Sequence, residues 1–340
     1  MHLSLVRLTV LMALVSTASP AAAAPLEAHL VGATGYKVLE RWGVTRPNGP
    51  PLDVYVARTE GRRPLVVLVQ GSHCLPLFMS RPGREVSTLF VRPDQLEREL
   101  GRVSFAVVER RGLRSFGAAP ASEAEAKTLA RCTAEHGGVD KRERVADVAD
   151  AVRALRGQPW VGPVFVLGHS EGADVAAGVA GRLGDAFAGV GLLSGAGPTR
   201  FFDDIANARR QGRPAAVKAA LDDLIALTGP QPPAEYAGAA SVRQLSYAVD
   251  STPLDDLRAS ALPIFVAGGT RDEKSPIESA DLFVAEMLRA RARRLRYVVL
   301  PDLDHAYMTP DGADRMPDVL RAFVDWALEP MKGRDVHLGL

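Results

Sequence analysis

The sequence predicts an α/β fold built on a mostly parallel central sheet with helices on both faces. From residue 65 onward, apolar runs of strand length alternate with segments of helical periodicity. Runs such as 65–69 (LVVLV) and 103–108 (VSFAVV) are apolar almost throughout, the pattern of strands buried on both faces. A third run, 163–167, passes through a Gly-flanked serine directly into an Ala/Val-rich helix.

Taken in order, 36–44 and 52–58 read as an opening hairpin around the turn-rich 46–50 (RPNGP). The strand at 65–69 ends at Gln70-Gly71-Ser72, and 103–108 leads into Glu109-Arg110-Arg111-Gly112. Val145, Val148, Ala149, Val152 and Leu155 fall at helical spacing and predict a helix over 141–156. The strand at 163–167 gives way to a helix reaching about Leu183, followed by strands at 190–193, 264–267 and 297–300. Helices are expected at 276–289 and 313–328. Residues 201–260 break the alternation. Sixty residues exceed a simple connection, and helical runs such as 214–227 are interrupted at 229–233 (GPQPP). The expectation is one domain over 24–340 with a helical cap inserted at about 201–260.

Composition is that of an ordinary globular protein: 340 residues, 47% hydrophobic, 24% charged, formal net charge +1. That balance gives no electrostatic reason for a nucleic-acid or anionic-membrane partner. The start of the chain differs. Arg7 precedes an apolar run at 8–15, and Ala21-Ala22-Ala23 offers a small-residue cleavage site, so residues 1–23 read as a secretory signal peptide. No later run approaches the length of a membrane helix, so stable membrane insertion is not expected and a secreted or periplasmic location is. Two cysteines, Cys74 and Cys132, invite a disulfide in an oxidising compartment; the alternative is two buried thiols. No zinc, calcium or dinucleotide motif occurs, so no cofactor is expected. The basic run 289–296 reads as a solvated helix end.

The chemistry gathers around residues 168–172 (GHSEG). A G-x-S-x-G string between a strand and a helix is a nucleophile elbow: the sharp turn lifts the Ser170 hydroxyl above the sheet, and the glycines leave room for backbone. A serine hydroxyl needs a base, and the base a carboxylate to orient it. Such an elbow is followed along the chain by acid, then histidine. His305 lies just past the strand at 297–300, and Asp272 just past the strand at 264–267, with Glu273 one residue away as the alternative acid. A turn aspartate capping the next helix is the competing reading of Asp272. The oxyanion needs donors, for which the N–H groups of Glu171 and of Ser72 are the best placed, with His73 next.

With these residues in view, the chain resembles the α/β-hydrolase superfamily from about Tyr36 to Leu328, in its Gly-Ser loop, GHSEG elbow, Gly-Gly-Thr-Arg-Asp turn and Asp-His turn. Gln70-Gly71-Ser72 stands where many relatives carry His-Gly, and Glu109-Arg110-Arg111-Gly112 is similar to an Arg-Gly turn of several of them. The resemblance implies that strands 65–69 and 103–108 are neighbours, which would bring the loops carrying Cys74 and Cys132 to one edge. It also implies a serine hydrolase acting on a small-molecule or short-peptide acyl substrate. An ester is the first expectation. The alternative is a peptidase or amidase that binds a free N-terminus through Asp203, Asp204, Asp222 or Asp223, and a non-catalytic binding protein on the same fold is the third.

Overall fold

The computed structural model describes residues 26–47, 49–130, 140–230, 249, 251–292, 294–330 and 335–339. The proposed signal peptide and Cys132 lie outside the described residues, as does part of the 201–260 insertion. Among the described residues a ten-stranded sheet runs in the order β1-β2-β3-β7-β4-β9-β10-β11-β12-β13. Its strands are β1 (Glu27–Ala33), β2 (Glu40–Thr45), β3 (Leu52–Ala57), β4 (Arg63–Val69), β7 (Ser104–Val108), β9 (Val161–His169), β10 (Gly189–Leu193), β11 (Ile264–Gly269), β12 (Arg294–Leu300) and β13 (Asp335–Gly339). The first three strands pair antiparallel, as does β3 with β7; from β7 to β13 every pairing is parallel.

The central strands explain the unbroken apolar runs. In β4, Leu65, Val67 and Val69 face one core cluster while Val66 and Leu68 face the other. Strands β9 and β11 alternate in the same way, with Phe165, Leu167 and Phe265 on the second face. Every such residue must be apolar because neither face meets water. The first face is covered by α3 (Lys141–Arg156), α4 (Glu171–Leu183) and α8 (Ile277–Arg289), the second by α1 (Pro93–Glu99) and α9 (Met316–Leu328). Helix α3 starts where a capping box permits: Asp140 accepts the Glu143 N–H at 2.9 Å, and Glu143 accepts the Asp140 N–H.

Some elements carry no signal of the kind used above. Strand β1 is largely exposed at one sheet edge and β13 forms the other, and neither carries the unbroken apolar run of a central strand. The small sheet of β5 (Phe78–Arg81), β6 (Arg84–Ser87) and β8 (Gly117–Ala118), with helix α2 (Glu123–Leu129), fills connections that read as loops. Between β10 and β11 the described residues form α5 (Arg200–Arg210), α6 (Pro214–Thr228) and α7 (Pro253–Leu257). Helix α5 packs on α6 and also touches α8, beside the carboxyl end of β11. Among the described residues no helix is long and apolar enough to cross a membrane.

Candidate active site

Strand β9 ends at His169 and α4 begins at Glu171, leaving Ser170 alone to make the turn. Its backbone sits at φ 58° and ψ −131°, a conformation a non-glycine residue adopts at a cost of roughly 1–3 kcal/mol. Neighbours hold it there. The Ser170 N–H donates to Leu193 O at 2.9 Å, and its carbonyl accepts the Ala173 N–H at 2.8 Å. The flanking glycines are obligatory: a Cβ on Gly168 would lie 2.0 Å from Gly172 O, and one on Gly172 would lie 2.0 Å from Val69 O. The elbow therefore sits pressed against β4, with the serine side chain at the carboxyl ends of the parallel strands.

Asp272 follows β11 and is fully buried. Its Oδ1 accepts the N–H groups of Lys274 and Ser275, both at 2.8 Å. The same carboxylate faces His305 Nδ1 at 3.0 and 2.9 Å. Asp272 thus braces the turn that follows β11 and faces a histidine, but it does not cap the next helix, whose N-cap is Pro276 with no side-chain hydrogen bond. Glu273 is exposed and makes no such contact. An Nδ1 facing a carboxylate carries the proton, which leaves Nε2 of His305 as the basic nitrogen.

The His305 loop is pinned from several sides. Asp304 Oδ1 accepts the N–H groups of Ala306 and Met308 at 2.9 Å, and Tyr307 donates its hydroxyl to Ala267 O at 3.0 Å. His169, left unassigned by sequence reasoning, supplies another tie. Its Nε2 lies 2.8 Å from His305 O, and its ring is stacked on Phe90 and centred 5.0 Å from the His305 ring. Burial, reinforced by the neighbouring His305, pushes the His169 pKa down to about 4, so this ring is neutral and donates. Ser170 Oγ makes no hydrogen bond to His305. Such contacts commonly tighten only with substrate bound.

The Glu171 N–H heads α4, where N–H groups lack helical acceptors. Its side chain meets Arg144 Nη1 at 2.5 Å and Arg110 Nη2 at 3.6 Å. Burial alone would raise this carboxyl, but the two guanidinium charges outweigh it and hold it below the usual range. Ser72 lines the same cavity as Ser170 and Glu171.

That cavity measures about 450 Å³, and its described walls mix the polar Thr199, Thr252 and Ser275 and the charged Lys141, Asp174, Arg200, Asp203, Asp204, Glu273 and Lys274 with Gly195, Gly197 and Pro253. Asp203 hydrogen-bonds Ser279, yet burial, with the nearby Asp174, Asp204 and Asp272 charges, pushes its pKa up to about 8. Asp222 and Asp223 do not line the cavity, and Asp222 pairs with Lys218 on the outside of α6. A larger concavity of about 940 Å³ lies at the opposite, amino end of the strands, lined by Pro64, Pro163 and Pro263. Ligands of open α/β sheets bind at the carboxyl ends. The smaller, polar cavity is the functional candidate.

No protein-family model matches the chain, and no curated protein matches it by sequence. Solved structures do. Est1E from Butyrivibrio proteoclasticus superposes with a TM-score of 0.52 at 14% identity, over 84% of this chain and 95% of that one. Acetyl xylan esterase 1 from Thermoanaerobacterium sp. JW/SL YS485 gives 0.53 at 13%, over 90% and 89%. A Mycobacterium tuberculosis puromycin-hydrolyzing peptidase gives 0.53 at 18%, over 90% of this chain but 42% of that one. The similarity is one of fold: the chain has the α/β-hydrolase architecture.

Proposed function

From that architecture we propose that the protein is a serine hydrolase cleaving a carboxylic ester through an acyl-enzyme. Ser170 attacks the acyl carbonyl as His305 Nε2 takes its proton, and Asp272 stabilises the imidazolium. The N–H groups of Glu171 and Ser72 receive the developing oxyanion. His305 returns the proton to the departing alcohol, and water then releases the acyl group by the reverse sequence. One observation supports this most: a strained, glycine-flanked serine at the end of β9, with a His305–Asp272 pair at the ends of the two strands beyond β10. Wild-type protein should be labelled by a fluorophosphonate and should hydrolyse p-nitrophenyl acetate, and Ser170→Ala should do neither while staying folded. A folded wild type inert to both probes would point to a non-catalytic binding protein instead.

The charged side chains in the cavity walls favour a short or hydroxylated acyl group. Turnover of p-nitrophenyl esters should fall as the acyl chain lengthens beyond about four carbons, because a longer alkyl chain would desolvate those charges without pairing them. Asp174, Asp203 and Asp204 also support a second reading, an amide or peptide substrate with a free amine. Asp203 would then have to release its proton to pair with that amine. KM for aminoacyl p-nitroanilides should drop as pH rises from about 6 to 8, and KM for neutral esters should not.

Export to an oxidising compartment goes with this reading, and so does a Cys74–Cys132 disulfide. Cys74 is buried and its N–H donates to Ala130 O at 3.0 Å, two residues ahead of Cys132. The bond would span 58 residue steps, a loop whose closure is worth roughly 4 kcal/mol in the chain-entropy treatment. Thiol titration of the unreduced, denatured protein should find no reactive thiol; two would refute the pairing.

A further inference from the structure

We propose that Arg110 is a positioning residue that aligns the second oxyanion donor by gripping the carbonyl side of the Gly71–Ser72 peptide. This rests on the serine-hydrolase reading above. Arg110 stands two residues beyond β7, the immediate parallel neighbour of β4, so it reaches sideways beneath the loop that leaves β4. Its Nη2 donates to Gly71 O at 2.6 Å in a buried setting. That carbonyl belongs to the same peptide as the Ser72 N–H. In a planar trans peptide the two point in opposite directions, so holding the oxygen aims the N–H. The peptide also lies against the nucleophile: a Cβ built on Gly71 would be 3.4 Å from Ser170 Cβ and 3.8 Å from Ser170 Oγ. A cationic donor on the carbonyl polarises the amide and strengthens its N–H as a donor.

Arg144 backs this grip from α3. Its Nη2 holds Gln70 O at 2.5 Å while its Nη1 holds Glu171 Oε1 at 2.5 Å. One guanidinium thus ties the loop to the residue whose own N–H is the first oxyanion donor. Arg110 is a costly way to fill this space. It is 8% exposed, and its Nε and Nη1 have no hydrogen-bond partner among the described residues. Burial, with the charge of Arg144 beside it, pushes its pKa down to about 9, and it still carries its charge at neutral pH. An apolar side chain of similar volume would generally pack here at lower cost if packing were the whole requirement.

The test compares transition-state with ground-state affinity. Arg110→Met keeps the volume and removes the donor, and its folding is checked by circular dichroism and melting. Its kcat for p-nitrophenyl acetate should fall roughly ten- to hundredfold, less than the loss from deleting an oxyanion donor outright. Its inhibition constant for phenylboronic acid, which forms a tetrahedral adduct on the serine, should weaken by a similar factor while KM changes little. In Arg110→Ala, added methylguanidine should restore part of the lost kcat by refilling the guanidinium site. A folded Arg110→Met with wild-type kcat and boronate affinity would overturn the proposal. So would equal losses in ester and boronate affinity, or an Arg110→Ala enzyme that methylguanidine leaves unimproved. A wild type unreactive to fluorophosphonate would instead remove the serine-hydrolase reading beneath it.

Discussion

At Asp272 one carboxylate satisfies two backbone N–H groups and a histidine ring, and its complete burial makes each of those bonds expensive to lose. Asp272→Asn can still accept from Lys274 and Ser275 through its amide oxygen, but it no longer enforces the Nδ1–H tautomer of His305. We expect kcat to drop on the order of 10⁴-fold with the melting temperature little changed, and Glu273→Gln to behave as wild type. Steady-state kinetics on the two variants separate the acids. His169 acts on His305 from the other side, through its backbone. His169→Phe keeps the stack on Phe90 but removes the donor to His305 O. A decline in kcat of about tenfold, with KM for a small ester unchanged, is the expected outcome, reflecting a base slightly misplaced rather than missing. An unaltered kcat would show that the loop's own bonds around Asp304 and Tyr307 suffice. The motif turns made Ser170, Asp272 and His305 legible because each directly follows a recognisable strand. Nothing in the sequence marks His169 or Arg144 as their supports, and the 109–112 turn stands out only by its likeness to an Arg-Gly turn, which does not say which backbone group Arg110 holds.

The elbow is the element with the least freedom. Gly172→Ala would drive a methyl group to within 2.0 Å of a β4 carbonyl, which backbone cannot yield without unstitching β9 from β4. The variant should be recovered insoluble or with a greatly lowered melting temperature; a stable, active Gly172→Ala would show that the elbow is looser than described. Helix α9 supports the same sheet from the opposite face. Phe323 is fully buried, edge-on to Phe165 and Phe265 with ring centres 6.4 and 5.6 Å away. Phe323→Ala should destabilise by about 3–5 kcal/mol, read from denaturant unfolding, while the residual folded fraction retains its kcat. Central elements were readable because double-sided burial imposes an unbroken apolar run. The edge strands β1 and β13 were not, since an exposed edge is held by backbone pairing that leaves no trace in side-chain choice.

Across the whole molecule, buried carboxyls set an unusual pH response. Burial raises Glu109 from its ordinary 4.5 to about 7, against hydrogen bonds from Ser115 and the Leu77 and Arg110 N–H groups, and it raises Asp203 to about 8. Folded chains then bind protons that unfolded chains have already released, so stability falls as pH rises from about 4.5 through 7 to 8. For Glu109 the loss is roughly 3 kcal/mol once pH exceeds 7. Carboxyls held low, such as Glu171 and Asp94, act oppositely and only at lower pH. The buried His169, held down to about 4, acts oppositely between about pH 4 and 6.5 and offsets much of the carboxyl loss there. Melting temperature should therefore decline mainly from about pH 6.5 to 8, and Glu109→Gln should make that decline shallower. A wild-type profile that climbs steadily from pH 5 to 8 would contradict the assignment.

Sequence alone determined the sheet's core strands, the helices that cover them and the order in which serine, aspartate and histidine follow those strands. Each of these depends on local periodicity or on a turn adjoining a strand, and local rules are written into neighbouring residues. Only the tertiary structure decided which of Asp272 and Glu273 meets His305. It also decided that Asp203 and Asp204, but not Asp222 and Asp223, line the cavity, and that Arg110 and Arg144 reach the oxyanion loop from a neighbouring strand and helix. Those facts depend on the direction of a buried side chain and on strands adjacent in space but 31 or more residues apart along the chain, a distance over which residue patterns carry no register.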